Sequence, residues 1–289
     1  MNTYNSRGKS PLYLTIVYGL LILFLCVEIF PILYIIMMSF ASKKEIVTRG
    51  FFLFPKEWSL NAYAYLIDNP NFMRAFRSSV TITTVGTVFS MTMTTFMAYG
   101  LSKPWLRGRS MLNFMVLFTM LFSGGIIPLY LLVMNLNLLN SYWSLFLTGA
   151  IIPFNLIVIR SFFQGFPIEI EESARIDGCS EFGLLWRIVL PLSLPVIATF
   201  SLFYAVEYWN TYFQAILYLN DGSKLPLQVF LRQMLNVSDG SQEVTENGIE
   251  FSPAVRMAAV IFTAVPLLIV YPFLQKYFNQ GALLGSVKG

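Results

Sequence analysis

Long apolar runs separated by short polar connections set the pattern of this chain. A helix that crosses the hydrocarbon of a bilayer needs about 20 mainly apolar residues. Six segments have that length: Leu12–Phe40, Ser79–Leu101, Met111 to Val133 with an interruption at Phe122–Pro128, Ser141 to Ile159, Leu192–Leu219, and Ala254–Lys276 with Pro266 and Pro272 inside it. The run from Leu12 is too long for a signal-peptide core and ends in no small-residue cleavage site, so it is expected to be a retained span. The pattern predicts an all-α, polytopic membrane protein with six transmembrane helices.

Glycine and proline inside such spans mark bends, because neighbouring helices can satisfy the backbone groups they free. Gly124, Gly125 and Pro128 are the strongest mark, readable as a packing kink or a hinge. Three polar connections are long: Ala41–Ser78, Gln164–Pro191 and Asn220–Pro253, the last acidic at Asp239, Glu243, Glu246 and Glu250. An even number of spans puts both termini on one side. A raw count of Lys and Arg does not choose that side. The tightest basic loop does, since short loops near spans carry the orientation signal. That loop is KPWLRGRS, with Lys103, Arg107 and Arg109. It lies on the side of the termini, which are therefore expected in the cytoplasm together with the 164–191 connection.

Inside that connection, Ile168–Asp177 reads as a short helix. Pro167 suits its start, and Glu169, Glu171 and Glu172 favour its N-terminal half. Gly178 stands where a helix stop needs positive φ. Ser180 can cap a second helix running to Leu190, and Pro191 is expected to end it. Such a bent pair could be a knob that a soluble protein grips, joined to the fifth span as a lever. It could equally be an interfacial helix anchored by Phe182, Leu185 and Trp186.

Composition narrows the functions. The chain is 56% hydrophobic and 12% charged, about half the charge of a soluble domain. Its net charge of +4 is spread out, without a basic block suited to nucleic acid. There is no histidine, which removes the commonest general base and metal ligand. Cys26 and Cys179 are isolated and form neither a disulfide framework nor a metal site. Gly8-Lys9-Ser10 is no phosphate loop, because Thr3 stands where that motif needs glycine. No metal site and no catalytic residue is expected.

Two carboxylates fall within predicted spans, Glu28 and Glu207. A charge there costs at least about 2.5 kcal/mol, so it usually faces the bundle interior or water. Glu28 is expected to pair within the bundle. Glu207 belongs to a cluster with Tyr208, Trp209, Asn210 and Tyr212, near Gln214. Aromatic faces, amides and a carboxylate suit a sugar. The same residues also suit aromatic packing near a membrane interface.

EESARIDGCSEFGLLWRIVLP, at 171–191, resembles the EAA motif of permease subunits of binding-protein-dependent carbohydrate ABC importers. The matching residues are Glu172, Ser173, Ala174, Gly178, Ile188, Leu190 and Pro191, with Ser173 in place of the usual first alanine. FPKEWSLNAYAYLI, AYGLSKPWLRGRS, EYWNTYFQAILYL and QGALLGSVKG resemble further segments of the MalG-like branch. FSGGIIPLYL and LPLQVFLRQML resemble its LplC or YtcP subgroup. The resemblance implies the type I ABC importer transmembrane fold, with a permease domain at 12–279 between cytoplasmic tails 1–11 and 280–289.

It also implies a bacterial cell-membrane location and a MalF- or LplB-like second permease subunit. Two ATPase subunits, which would carry ATP and Mg, and an extracellular sugar-binding lipoprotein complete the expected assembly. No cofactor is expected on this chain, no nucleic acid as partner, and an oligosaccharide as cargo. Coupling to the ATPase would rest on Glu171, Glu172, Ser173, Ala174, Asp177, Gly178, Ile188 and Pro191. The sugar path would take in Glu207, Tyr208, Trp209, Asn210 and Tyr212. The 220–253 loop would either reach the binding protein or be a solvated loop. An ion-driven transporter would favour paired halves and more intramembrane carboxylates. An intramembrane enzyme would need clustered acids or histidine, and a scaffold without transport would leave the helix pair idle.

Overall fold

The computed structural model describes residues 11–236 and 252–286. Among them every regular element is helical, and an isolated bridge pairs Ala41 with Trp58. The chain divides into two compact units. One runs up to Asn69 and takes in the last helix as far as Thr263, and the other holds Pro70–Asn236 and the last helix from Ala264. Much of the 220–253 loop, including its acidic residues, lies outside the described residues, as do both chain ends.

The first unit opens with α1 (Pro11–Ser39), bounded as expected. None of its apolar stretch is buried. Glu28 is exposed on it, and among the described residues it makes no ion pair. Two short helices follow, α2 (Lys43–Arg49) and α3 (Asn61–Asp68). Ser42 caps α2 by accepting from the Glu45 N–H at 3.2 Å. The buried Glu45 carboxylate pairs with Arg49 and accepts backbone N–H bonds from Lys56 at 2.9 Å and Glu57 at 3.1 Å. Those donors, the Lys56 N–H first, hold its pKa below the usual carboxylate value.

The second unit is organised around α4 (Pro70–Ser102), longer than the predicted span. Buried Ser78, Ile82, Gly86, Ser90, Thr94 and Ala98 recur every fourth residue along it. Neighbours at that spacing lie side by side in a stripe that winds slowly around the helix, and small residues along it let helices approach closely in a membrane. Against α4 pack α5 (Arg109–Leu121), α7 (Trp143–Thr148), α8 (Pro153–Gln164), the 194–209 helix and the 227–236 helix. The intervening α6 (Ile126–Asn135) meets α5 at a 116° bend. At 1.5 Å per residue the two measure about 20 and 15 Å, so neither crosses about 30 Å of hydrocarbon alone. The predicted third span is thus a sharply folded pair, broken at the expected glycines, with Gly125 at φ +88°.

The predicted fourth span is also two helices, α7 and α8, bent by 53°. Unwinding frees backbone groups that lipid cannot satisfy. Here side chains take them: the Gly149 carbonyl accepts from Ser90 Oγ at 3.2 Å, and the Ile152 N–H donates to Tyr204 Oη at 2.9 Å.

Beyond α8 come α9 (Ile168–Ile176) and α10 (Glu181–Leu192), then α11 (Leu194–Trp209) and α12 (Phe213–Tyr218). The predicted fifth span, Leu192–Leu219, is therefore interrupted at Asn210–Tyr212. Last are α13 (Leu227–Asn236) and α14 (Pro253–Ser286). The latter continues through Pro266 and Pro272 and past the predicted end at Lys276. Among the described residues, three single helices and three bent pairs give up to six candidate spans when each pair is counted as one.

Candidate functional site

The 168–192 helix pair is built as a rigid elbow. Glu169 and Glu171 occupy the first turn of α9 and Arg175 its last, the arrangement the helix dipole favours. The helix stops in a double hydrogen-bonded turn: the Cys179 N–H reaches the Ala174 carbonyl at 2.9 Å and the Gly178 N–H reaches Arg175 at 3.0 Å. This is a Schellman stop, which needs a left-handed residue at its fifth position. Gly178 supplies it with φ +80°. Ser180 then caps α10, its Oγ accepting from the Gly183 N–H at 3.2 Å.

Pro191 does not end α10 as expected. A proline in an α-helix crowds the carbonyl four residues earlier and donates no N–H. The chain relieves this with a π turn over Leu185–Val189, in which the Leu190 N–H bonds to the Leu185 carbonyl. The helix runs on to Leu192, and the 83° bend to α11 falls at buried Ser193. Ser193 Oγ donates to the Val189 carbonyl at 2.6 Å, tying the corner.

The coupling residues read from the sequence sort by orientation. Glu172, Ser173, Asp177, Gly178 and Pro191 are exposed, Ile188 is half-buried and Ala174 is buried. Among the described residues Glu172 and Asp177 make no ion pair. Glu171, by contrast, is half-buried. It turns to Lys103, at the end of α4, with 2.6 Å between Nζ and Oε1, and the Lys103 side chain is 3% exposed. Sequence reasoning also passed over Ile176, which is 86% exposed at the tip of α9. An isoleucine beside Asp177 on a charged segment was the available signal.

The Glu207 cluster does not present one platform. Tyr208 is buried, its hydroxyl 2.8 Å from Ser90 Oγ. Trp209 is buried against the edge of Phe76, with ring centroids 6.2 Å apart. Only Glu207, Asn210 and Tyr212 are exposed. Tyr208 and Trp209 thus face α4, through Ser90 and Phe76.

Up to six candidate spans among the described residues are those of a polytopic membrane protein. The family described as binding-protein-dependent transport system inner membrane component matches residues 86–283, and the chain belongs to that family. It falls with the carbohydrate ABC importer permeases of the LplC and YtcP type. It is 50% identical over 285 residues to the polygalacturonan/rhamnogalacturonan transport system permease protein YtcP of Bacillus subtilis (strain 168), covering 97% of this chain and 100% of that one. It is 51% identical over 266 residues to protein LplC of the same organism, covering 91% and 90%. A chain of a bacterial ABC transporter involved in the import of the acidic polysaccharide alginate shares the fold with TM-score 0.86 and 32% identity, covering 96% of this chain and 100% of that one.

Proposed function

We propose that this chain is one of two transmembrane subunits of an ATP-driven oligosaccharide importer, and that the elbow at Gly178 is the seat of a cytoplasmic ATPase. The observation that carries this is the outward set at one corner: Glu172, Ile176 and Asp177, exposed beside a backbone-locked turn. An apolar tip ringed by unpaired carboxylates suits a cleft with apolar walls and a basic rim. Both termini lie in the cytoplasm on this reading. Residues 12–279 form the permease domain. A second permease subunit completes the pathway, two ATPase subunits hold ATP and Mg, and an extracellular lipoprotein delivers the sugar.

The names of the relatives support an acidic cargo, a uronic-acid polymer fragment. Glu207, Asn210 and Tyr212 are the side chains of their cluster free to line its path. Hydrolysis of ATP belongs to the partners, so this chain does no chemistry of its own.

The test is charge reversal at the corner. Glu172→Lys in the assembled importer is expected to lower substrate-stimulated ATP hydrolysis at least tenfold while the chain still inserts in the membrane. Wild-type hydrolysis in that variant would remove the docking role from this corner.

A further inference from the structure

Beside the apolar packing of Ala174, Leu184, Leu185 and Val189 into the core, two links join the elbow to the bundle. One link is the chain itself, through Ser193 into α11. The second runs through side chains to α4. Lys103, just past the end of α4, lies in a nearly closed site: its Nζ is 2.6 Å from Glu171 Oε1 and 4.2 Å from the centre of the Tyr99 ring. Tyr99, one turn earlier on α4, donates its hydroxyl to Glu181 Oε2 at 3.0 Å. Arg175 closes the loop, 2.6 Å from Glu181 and 3.9 Å from Glu171. Phe96, also on α4, stacks on Phe182 at 6.2 Å with 11° between the planes. Each helix of the elbow thus has a polar anchor on α4: α9 through Glu171 and α10 through Glu181.

A buried ammonium has few ways to satisfy itself, and removing its one carboxylate leaves the charge stranded. The Lys103–Glu171 pair is therefore not interchangeable with an exposed ion pair, which contributes little. Its two ends lie on elements that must move together if the elbow is pushed. The face of α4 opposite this anchor's end carries Gly86, Ser90 and Thr94 against Tyr208 and Tyr204 of α11. That seam ties α4 to α11, and Ser193 ties α11 to the elbow.

We propose that Lys103, with Glu171, is a positioning residue for energy coupling: it clamps the elbow to α4, so that motion imposed on the elbow moves α4 and α11 as one piece. This rests on the docking role argued above. Glu171 then works inward, as an anchor, and Glu172 and Asp177 work outward.

The experiment uses the complete importer, co-expressed with its own partner permease, ATPase and binding lipoprotein, in proteoliposomes. The readout is oligosaccharide imported per ATP hydrolysed, alongside co-purification of the ATPase. Glu171→Gln and Lys103→Met are each expected to retain the ATPase and lower import per ATP at least tenfold. The double variant is expected to be no worse than either single one. Wild-type import per ATP in Glu171→Gln, or losses that multiply in the double variant, would overturn the clamp. Should Lys103→Met fail to assemble, Glu171→Gln and Tyr99→Phe decide, because the first keeps the ammonium over its ring and the second keeps the ring itself. If the unmodified chain brings down no ATPase at all, the docking reading fails rather than the clamp.

Discussion

The most apolar helix, α1, buries none of its apolar stretch. In contrast α4, dotted with serine, threonine and glycine, is the helix on which most of the second unit packs. In water the ranking would be reversed, because apolar surface drives burial. In a bilayer lipid is as apolar as leucine, and close packing with interhelical hydrogen bonds decides instead. Small polar residues mark the packed face, and uninterrupted apolarity marks a face left for lipid or another chain.

The contrast can be broken most sharply at glycine. A Cβ on Gly86 would lie 2.8 Å from three ring atoms of Tyr208, whereas one on Gly19 in α1 would meet nothing within 4 Å. Gly86→Leu is expected to cost at least about 3 kcal/mol, since the ring is pinned by its hydroxyl and cannot step aside. Gly19→Leu should stay within about 0.5 kcal/mol. Unfolding by SDS in mixed micelles checks both, and equal costs would undo the contrast.

A smaller effect sharpens it. Tyr204 joins Thr94 Oγ1 at 2.7 Å and accepts from the Ile152 N–H. Tyr204→Phe leaves that amide without its partner at the α7–α8 break, an expected loss of about 2 kcal/mol. Tyr18→Phe, on the exposed face of α1, should change the same unfolding midpoint by less than about 0.5 kcal/mol.

The smallest effect separates the segment after α1, tied by charge, from the hydroxyl seam of α4. Glu45 has a lowered pKa, so its contribution is full above the unfolded value of about 4.3 and is lost as pH falls through the lower folded value. Hydrogen-exchange protection at the Lys56 and Glu57 amides should therefore drop on acidification below about pH 4. Glu45→Gln should flatten that dependence, and protection at the Ile152 amide should not follow it.

Length and apolarity gave α1, α4 and the start of α14 from the sequence, because those helices meet the bilayer's thickness without help from neighbours. The elbow was legible for another reason: Pro167, Gly178 and Ser180 each act through local torsion and capping, which composition records directly. The break at Gly149–Ile152 was missed although Gly149 closes α7 and Pro153 opens α8; the partners of the opened backbone, Ser90 and Tyr204, lie far away in sequence. Pro191 misled for a related reason. Its clash is absorbed by a π turn whose cause lies upstream. Tyr208 and Trp209 illustrate a deeper ambiguity: the same aromatic and amide letters serve to grip a sugar or to seat a helix end, and only burial tells the two apart. Glu171 and Glu172 are adjacent letters with opposite directions, a difference set by Lys103 far away in sequence.

A Cβ added at Gly178 would meet nothing within 4 Å, yet its φ of +80° suits few L-residues. Volume is thus free at this corner and handedness is not. L-alanine placed there would fit the room but not the torsion, whereas D-alanine, placed by semisynthesis, would suit the torsion; the corner selects for chirality before size.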